Sequence, residues 1–106
     1  MSKSIDNLIA QVQAIMDNPN EFGEMKMAQI VARVNTELAA ILTKNSSLLE
    51  KLPEHLKREF IRLEKEMESQ KQCGNHYGIL GMQSEMLRIV SIAMQLQRNA
   101  QQGRER

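Results

Sequence analysis

The residues best suited to chemistry lie in one short stretch, residues 73–81, which reads CGNHYGILG. Cys73 and His76 have the C-x-x-H spacing of half a zinc site. Structural zinc takes four ligands, commonly two such pairs. The only other histidine is His55 and there is no second cysteine, so a complete site would need a second copy of the chain. We therefore predict no metal here and interpret the stretch as a turn.

The same stretch carries three glycines, Gly74, Gly78 and Gly81. Glycines that precede a helix can cradle an anion on free backbone N–H groups. The sequence has no G-x-G-x-x-G, no G-K-[ST] and no preceding strand pattern, which those phosphate sites require. The spacing instead predicts a junction between a loop and a helix, with Gly74-Asn75 as the turn.

Carboxylates cluster at Glu59, Glu64, Glu66 and Glu68, interleaved with arginine and lysine. A di-metal site in a helical bundle uses a Glu-x-x-His motif, which is absent from this sequence. The cluster is typical of a solvated helix face. Two histidines and one cysteine offer little material for acid–base or nucleophilic catalysis. We predict that the chain is not an enzyme and has no cofactor.

The last part of the chain is basic, with Arg98, Arg104 and Arg106 against a single acid, Glu105. Arginines beside glutamine and asparagine can contact phosphates and base edges, so nucleic-acid binding is the alternative function. Cations at a helix C-terminus are also favourable for the helix itself. A net charge of +1 gives the whole chain no general attraction to nucleic acid.

The bulk composition predicts one small domain over residues 1–100 and a polar, frayed tail over residues 101–106. Hydrophobic residues make up 42% of the 106 residues and aromatics 3%. The single cysteine fits a reducing compartment. No signal-peptide core and no apolar run of about 20 residues occurs, so we expect no membrane contact and a cytoplasmic location.

Apolar periodicity predicts four helices with short connections between them. The first runs from Ser2 or Ser4 until Asn18-Pro19 stops it, and the second runs from between Asn20 and Glu24 to about Lys44. A single turn over residues 48–51 precedes the third helix, which Pro53 opens. The fourth begins between residues 77 and 81.

The fourth helix carries an unbroken heptad seam, with alternating spacings of three and four residues: Ile79, Met82, Met86, Ile89, Ala93, Leu96 and Ala100. The second helix carries a matching seam, whereas that of the third is thinner. We predict that these two seams form either the core or a subunit interface. The predicted contact residues are Met27, Val31, Val34, Leu38, Ile41, Met82, Met86, Ile89, Ala93 and Leu96.

These patterns predict an all-α fold, a small four-helix bundle or helical-hairpin assembly with coiled-coil-like packing. Seven methionines at helical spacing favour a surface that adapts to a partner. The leading functional hypothesis is a non-enzymatic protein–protein interaction module: a small adaptor, regulator, chaperone-like protein or assembly factor. It would act through helix–helix packing, as a homodimer or other homo-oligomer or with a helical protein partner.

Overall fold

The computed structural model describes residues 2–104, and side-chain burial for residues 5–100. Its four α-helices are α1 (Ser2–Asp17), α2 (Glu24–Lys44), α3 (Glu54–Cys73) and α4 (His76–Arg104). Short 3₁₀ turns, Pro19–Glu21 and Leu49–Lys51, lie in the first two connections. No strand occurs within residues 2–104. The prediction of an all-α helical bundle is therefore confirmed.

The helix ends lie beside prolines, which disfavour helical conformation in the residues around them. Asn18, the residue before Pro19, leaves the α region with φ −135° and ψ 62°, and α1 ends at Asp17. Pro53 immediately precedes α3 and accepts hydrogen bonds through its carbonyl from the backbone N–H groups of Leu56 and Lys57. A proline suits this place because the first helical N–H groups have no partner within the helix.

Helix α4 occupies the centre of the bundle, and each of the other three helices packs on it. By contrast, α1 and α2 touch only briefly. The molecule measures 50 × 25 × 21 Å, and a 29-residue helix of about 43 Å spans most of the long dimension. The bundle is thus three helices arranged around one, rather than four equivalent helices.

Two side-chain contacts fix the helix directions. The Tyr77 hydroxyl donates a hydrogen bond to the Met16 carbonyl at 3.2 Å, which places the end of α1 at the start of α4. The Gln83 amide donates to the Val31 carbonyl at 3.0 Å, whereas Ile41 and Met94 line a common cleft further along. Helix α2 therefore runs parallel to α4, and α1 and α3 run antiparallel to it, in the up-down-up-down order that short connections favour.

The core is continuous along α4 and takes side chains from all four helices and from the second connection. Helix α3 has the thinner seam, and its residues Phe60, Leu63 and Met67 are all buried. Leu48 and Leu52, on either side of the 3₁₀ turn, are buried as well. One bulky aromatic ring and two leucines from the connection compensate for the sparse seam of α3.

The α3–α4 turn explains the glycine-rich stretch. Gly74 has φ +70°, its N–H donates to the Lys71 carbonyl, and the Asn75 N–H donates to the Gln70 carbonyl, which is the Schellman pattern. The Asn75 side chain then accepts a hydrogen bond from the Gly78 N–H at 3.1 Å, as an N-cap does. Helix α4 therefore begins at His76, one residue before the predicted range.

Helix α4 continues through Arg104, and its last four residues belong to the stretch 101–106 that the sequence predicts as a polar, frayed tail. Met1, Glu105 and Arg106 lie outside the described residues.

Two glycine substitutions of opposite sign test the turn. Gly74→Ala should lower the free energy of unfolding by about 1 kcal/mol, because alanine is strained at positive φ. Gly81→Ala should raise the free energy of unfolding by about 0.5–1 kcal/mol, because Gly81 lies inside α4, where alanine is favoured over glycine. The added Cβ would lie 3.6 Å from the Met16 Cε, which is an ordinary contact. Urea unfolding of both variants measures the two changes, and equal signs would contradict this account of the turn.

Candidate partner-binding surface

The structure places most of the predicted contact residues in the core of the single chain. Seven of the ten are buried: Met27, Val31, Val34, Leu38, Met86, Ile89 and Ala93. Ile41 and Met82 are partly buried and pack against this core. Leu96 alone is exposed, at 37%. The two seams meet within the chain, and their buried side chains are covered by its own helices.

The methionines follow the same pattern. Met27, Met67 and Met86 are buried, and Met16, Met82 and Met94 pack against the core. Among the methionines of residues 5–100, only Met25 is largely exposed, at 78%. The flexible thioether chains therefore fill gaps between helices, as methionine often does.

The predicted nucleic-acid residues lie at the far end of α4. Arg98 is exposed, and its guanidinium donates to the Gln95 side chain at 2.7 Å. Arg104 is the last residue of the helix, and its side chain is not described. Arg106 lies outside the described residues.

The Cys73-His76 pair lies at the α3–α4 turn. Cys73 is an exposed free thiol. Within the part of the chain that the structure describes, no group of three or more His, Cys, Asp or Glu residues is placed to hold a metal ion. Both residues therefore belong to the turn, at the end of the bundle where α1 also ends.

A buried polar contact between α2 and α4 is absent from the sequence-based prediction. Gln83 is 0% exposed, and its amide nitrogen donates to the Val31 carbonyl at 3.0 Å and to the Asn35 side-chain oxygen at 2.9 Å. Its own side-chain oxygen is buried without a hydrogen-bond partner. The signal was available, since Gln83 lies three residues after Leu80 and four before Leu87, on an apolar face.

The charges of α3 neutralise one another along the helix. All four ion pairs among the described residues lie in α3, and Arg62 takes part in two of them, with Glu59 and Glu66. The hydrogen bond from Arg62 is the main reason that the pKa of Glu59 lies below its ordinary value of 4.5. The predicted solvated face is therefore a ladder of internal pairs.

Between α1 and α2 lies an open groove, hereafter the α1–α2 groove. Its floor is apolar, with Ile15 buried and Phe22 and Ile30 half-buried. Ala14 and Gln11 form the α1 edge, and Lys26 and Arg33 form the α2 edge. The groove has a volume of about 240 Å³. It exists because the two helices pack on α4 rather than on each other.

The two cations of this groove have no partner within the described residues. None of the ion pairs among residues 5–100 includes Lys26 or Arg33, and both side chains are exposed. The groove therefore combines partly exposed apolar side chains with a positive edge, whereas most charged residues of α3 are paired with one another.

A second apolar hollow lies beside α3. It is lined by Leu49, Phe60 and Ile61, with Lys57, Glu50 and Glu64 around it, and has a volume of about 190 Å³. Ile61 is 51% exposed. Both signs of charge surround this hollow, so it has less electrostatic preference than the α1–α2 groove.

Two substitutions of Gln83 distinguish the effect of a buried charge on the free energy of unfolding from the effect of losing the amide hydrogen bonds. Gln83→Glu should lower the free energy of unfolding by about 3–5 kcal/mol, because it places an unpaired charge in the core. Gln83→Met keeps the volume and removes the unpartnered oxygen, so its change should stay below about 1.5 kcal/mol. Urea unfolding at neutral pH measures both. A methionine variant as unstable as the glutamate variant would show that the amide hydrogen bonds hold α2 on α4.

The Glu59–Arg62 pair should be visible in a pH titration. Arg62→Gln should bring the pKa of Glu59 back toward its ordinary value, whereas Lys65→Gln, at an exposed site without an ion pair, should leave it unchanged. Because folding lowers the pKa of Glu59, the pair stabilises the folded protein at any pH above the ordinary pKa. That contribution is lost as the pH falls through the lower pKa of the folded state. Carboxyl NMR shifts measure the titration, and an unshifted Glu59 in the natural chain would contradict the pairing.

Comparisons add no relative to this description. No family model, curated protein or solved structure matches the chain. Within the described residues, no helix has both the length and the apolar character needed to cross a membrane.

Proposed function

We propose that the chain is a non-enzymatic protein–protein interaction module, a small adaptor, regulator, chaperone-like protein or assembly factor. The observation that supports this most is the α1–α2 groove, a concave surface with apolar side chains on its floor and polar ones on its edges, left open after the core has formed. Grooves between helices accept a helix or an extended segment through a few apolar anchors, with charges at the rim setting orientation.

The place of the contact differs from the heptad seams. Residues such as Val34 and Ala93 are 0% exposed, so a partner could reach them only if the bundle opened. The groove needs no such opening, because Phe22 and Ile30 are already accessible. Binding through the groove therefore leaves the core intact, and this favours a partner that docks onto a folded domain.

The distribution of exposed apolar side chains favours a different protein as the partner over a second copy of the chain. Among residues 5–100, the exposed large apolar side chains are spread over separate elements: Met25 on α2, Ile61 on α3, Tyr77, Ile92 and Leu96 on α4. A stable homodimer normally buries a larger continuous apolar area than such scattered positions offer. We expect a monomer of 12.1 kDa in solution.

Site-specific photo-crosslinking in cells tests this function. A photoreactive amino acid is placed at Ala14 in the groove, at Ile61 in the α3 hollow, at Ile92 on α4, and at Lys65 on the charged face as a control. We expect one defined protein adduct from Ala14 and none from Lys65. Absence of protein adducts at every position would contradict an interaction function.

Two further measurements separate the other outcomes. Light scattering across concentration reports self-association, and a dimer that Ala14→Gln dissociates would mean that the groove holds a second copy. Retention on duplex DNA that weakens as salt rises, and that Arg98→Gln reduces, would instead support the nucleic-acid alternative.

A further inference from the structure

We infer that the α1–α2 groove binds an acidic amphipathic segment of a partner protein, with carboxylates on either side of an aliphatic anchor. This inference rests on the proposed function and adds the chemistry of the partner. Two neighbouring features support it. The groove has an apolar floor, and the two exposed cations on its edge form no ion pair with any carboxylate of the described residues.

The cations set the spacing of the partner's acids. Lys26 and Arg33 are seven residues apart on α2, which corresponds to about 10 Å along the helix. Ile30 lies between them and contributes to the floor. A partner helix with two acidic residues about two turns apart, and a leucine or isoleucine between them, would match both features.

The opposite edge of the groove does not compete for these cations. Gln11 and Ala14, which form the α1 edge, carry no charge. The acids of α2 are Glu24, two residues before Lys26, and Glu37, one turn beyond Arg33, and neither lines the groove. The structure has no ion pair between Lys26 and Glu24 or between Arg33 and Glu37. The positive edge therefore remains available to an outside carboxylate.

The floor distinguishes a peptide from a nucleic acid. Ile15, Phe22 and Ile30 present aliphatic and aromatic carbon, and the small Ala14 leaves room for an apolar side chain. Nucleic-acid affinity comes mainly from many phosphate contacts, and this groove offers two cations on a chain of net charge +1. An amphipathic peptide uses both the floor and the edge, whereas a phosphate backbone uses only the edge.

α3 supplies a matched control for the charges. Arg58 and Lys65 are also exposed, are also seven residues apart and also lack an ion pair within the described chain. Reversing them changes the net charge by the same amount as reversing Lys26 and Arg33. A difference between the two double variants therefore reports position and not overall charge.

The experiment is an NMR titration of the isotope-labelled full chain with a synthetic peptide. The probe is a helix of about 15 residues with two glutamates seven residues apart and leucines between them, a length at which designed helices begin to form. Shift changes are expected at Ala14, Phe22 and Ile30. The Lys26→Glu/Arg33→Glu variant should bind the peptide at least about tenfold more weakly than the unsubstituted chain. The Arg58→Glu/Lys65→Glu variant should change the affinity less than about twofold. A peptide with glutamine in place of glutamate should bind as weakly as the groove variant.

A second pair of variants tests the floor without changing charge. Ala14→Gln places a longer side chain at the groove and should weaken binding, whereas Ala32→Gln, exposed on α2 outside the groove, should not. Both alanines are exposed in helices and glutamine is a good helix former, so both variants should fold. Equal losses in the two charge variants, shift changes away from the groove, or no binding of the probe would overturn the inference.

The remaining outcomes separate this inference from the proposed function. Protein cross-links from Ile61 or Ile92 with none from Ala14 would overturn the groove assignment and leave an interaction function standing. Duplex DNA that displaces the peptide, with the same dependence on Lys26, would overturn the peptide assignment in favour of nucleic acid.

Discussion

The apolar surface of α4 is the constraint on which the whole bundle depends. Leu80, Leu87 and Val90 are completely buried, and together with the heptad seam they make α4 apolar on several sides. Each of the other helices buries its own apolar face mainly against this one helix. Because α1 and α2 are both positioned by α4, they do not need to pack tightly against each other. The open groove is thus a direct product of the way the core is built.

The charged residues are paired to different extents in α3 and α2. α3 carries more charged residues than any other helix, five acidic and five basic, and seven of these ten form ion pairs with one another. The cations on α2 are fewer and unpaired. Exposed ion pairs contribute little to stability, so the ladder on α3 matters more for solubility than for the fold. In the proposed function, the two α2 cations beside the floor of the α1–α2 groove provide the electrostatic recognition.

The sequence predicted the helices well because their boundaries depend on local chemistry. Pro19, Pro53 and Gly74 act within a few residues, and the structure has helix ends beside all three. Periodicity also identified the buried faces, since Met86 and Val34 are in the core. It did not identify what covers each face, because spacing describes one helix and not its neighbour. The Gln83 contact and the α1–α2 groove depend on how separate helices meet, and local patterns carry no such information.

The dependence on α4 also orders events during synthesis. Helix α1 is made before α4, and the surface that buries Leu8 and Val12 is more than fifty residues further along the chain. Until α4 has emerged from the ribosome, the apolar faces of the first three helices have no proper cover. The core therefore closes only when the last helix is available, and closure joins segments from opposite ends of the described chain. The apolar faces of α1, α2 and α3 are therefore exposed on the nascent chain while the residues up to α4 are being translated.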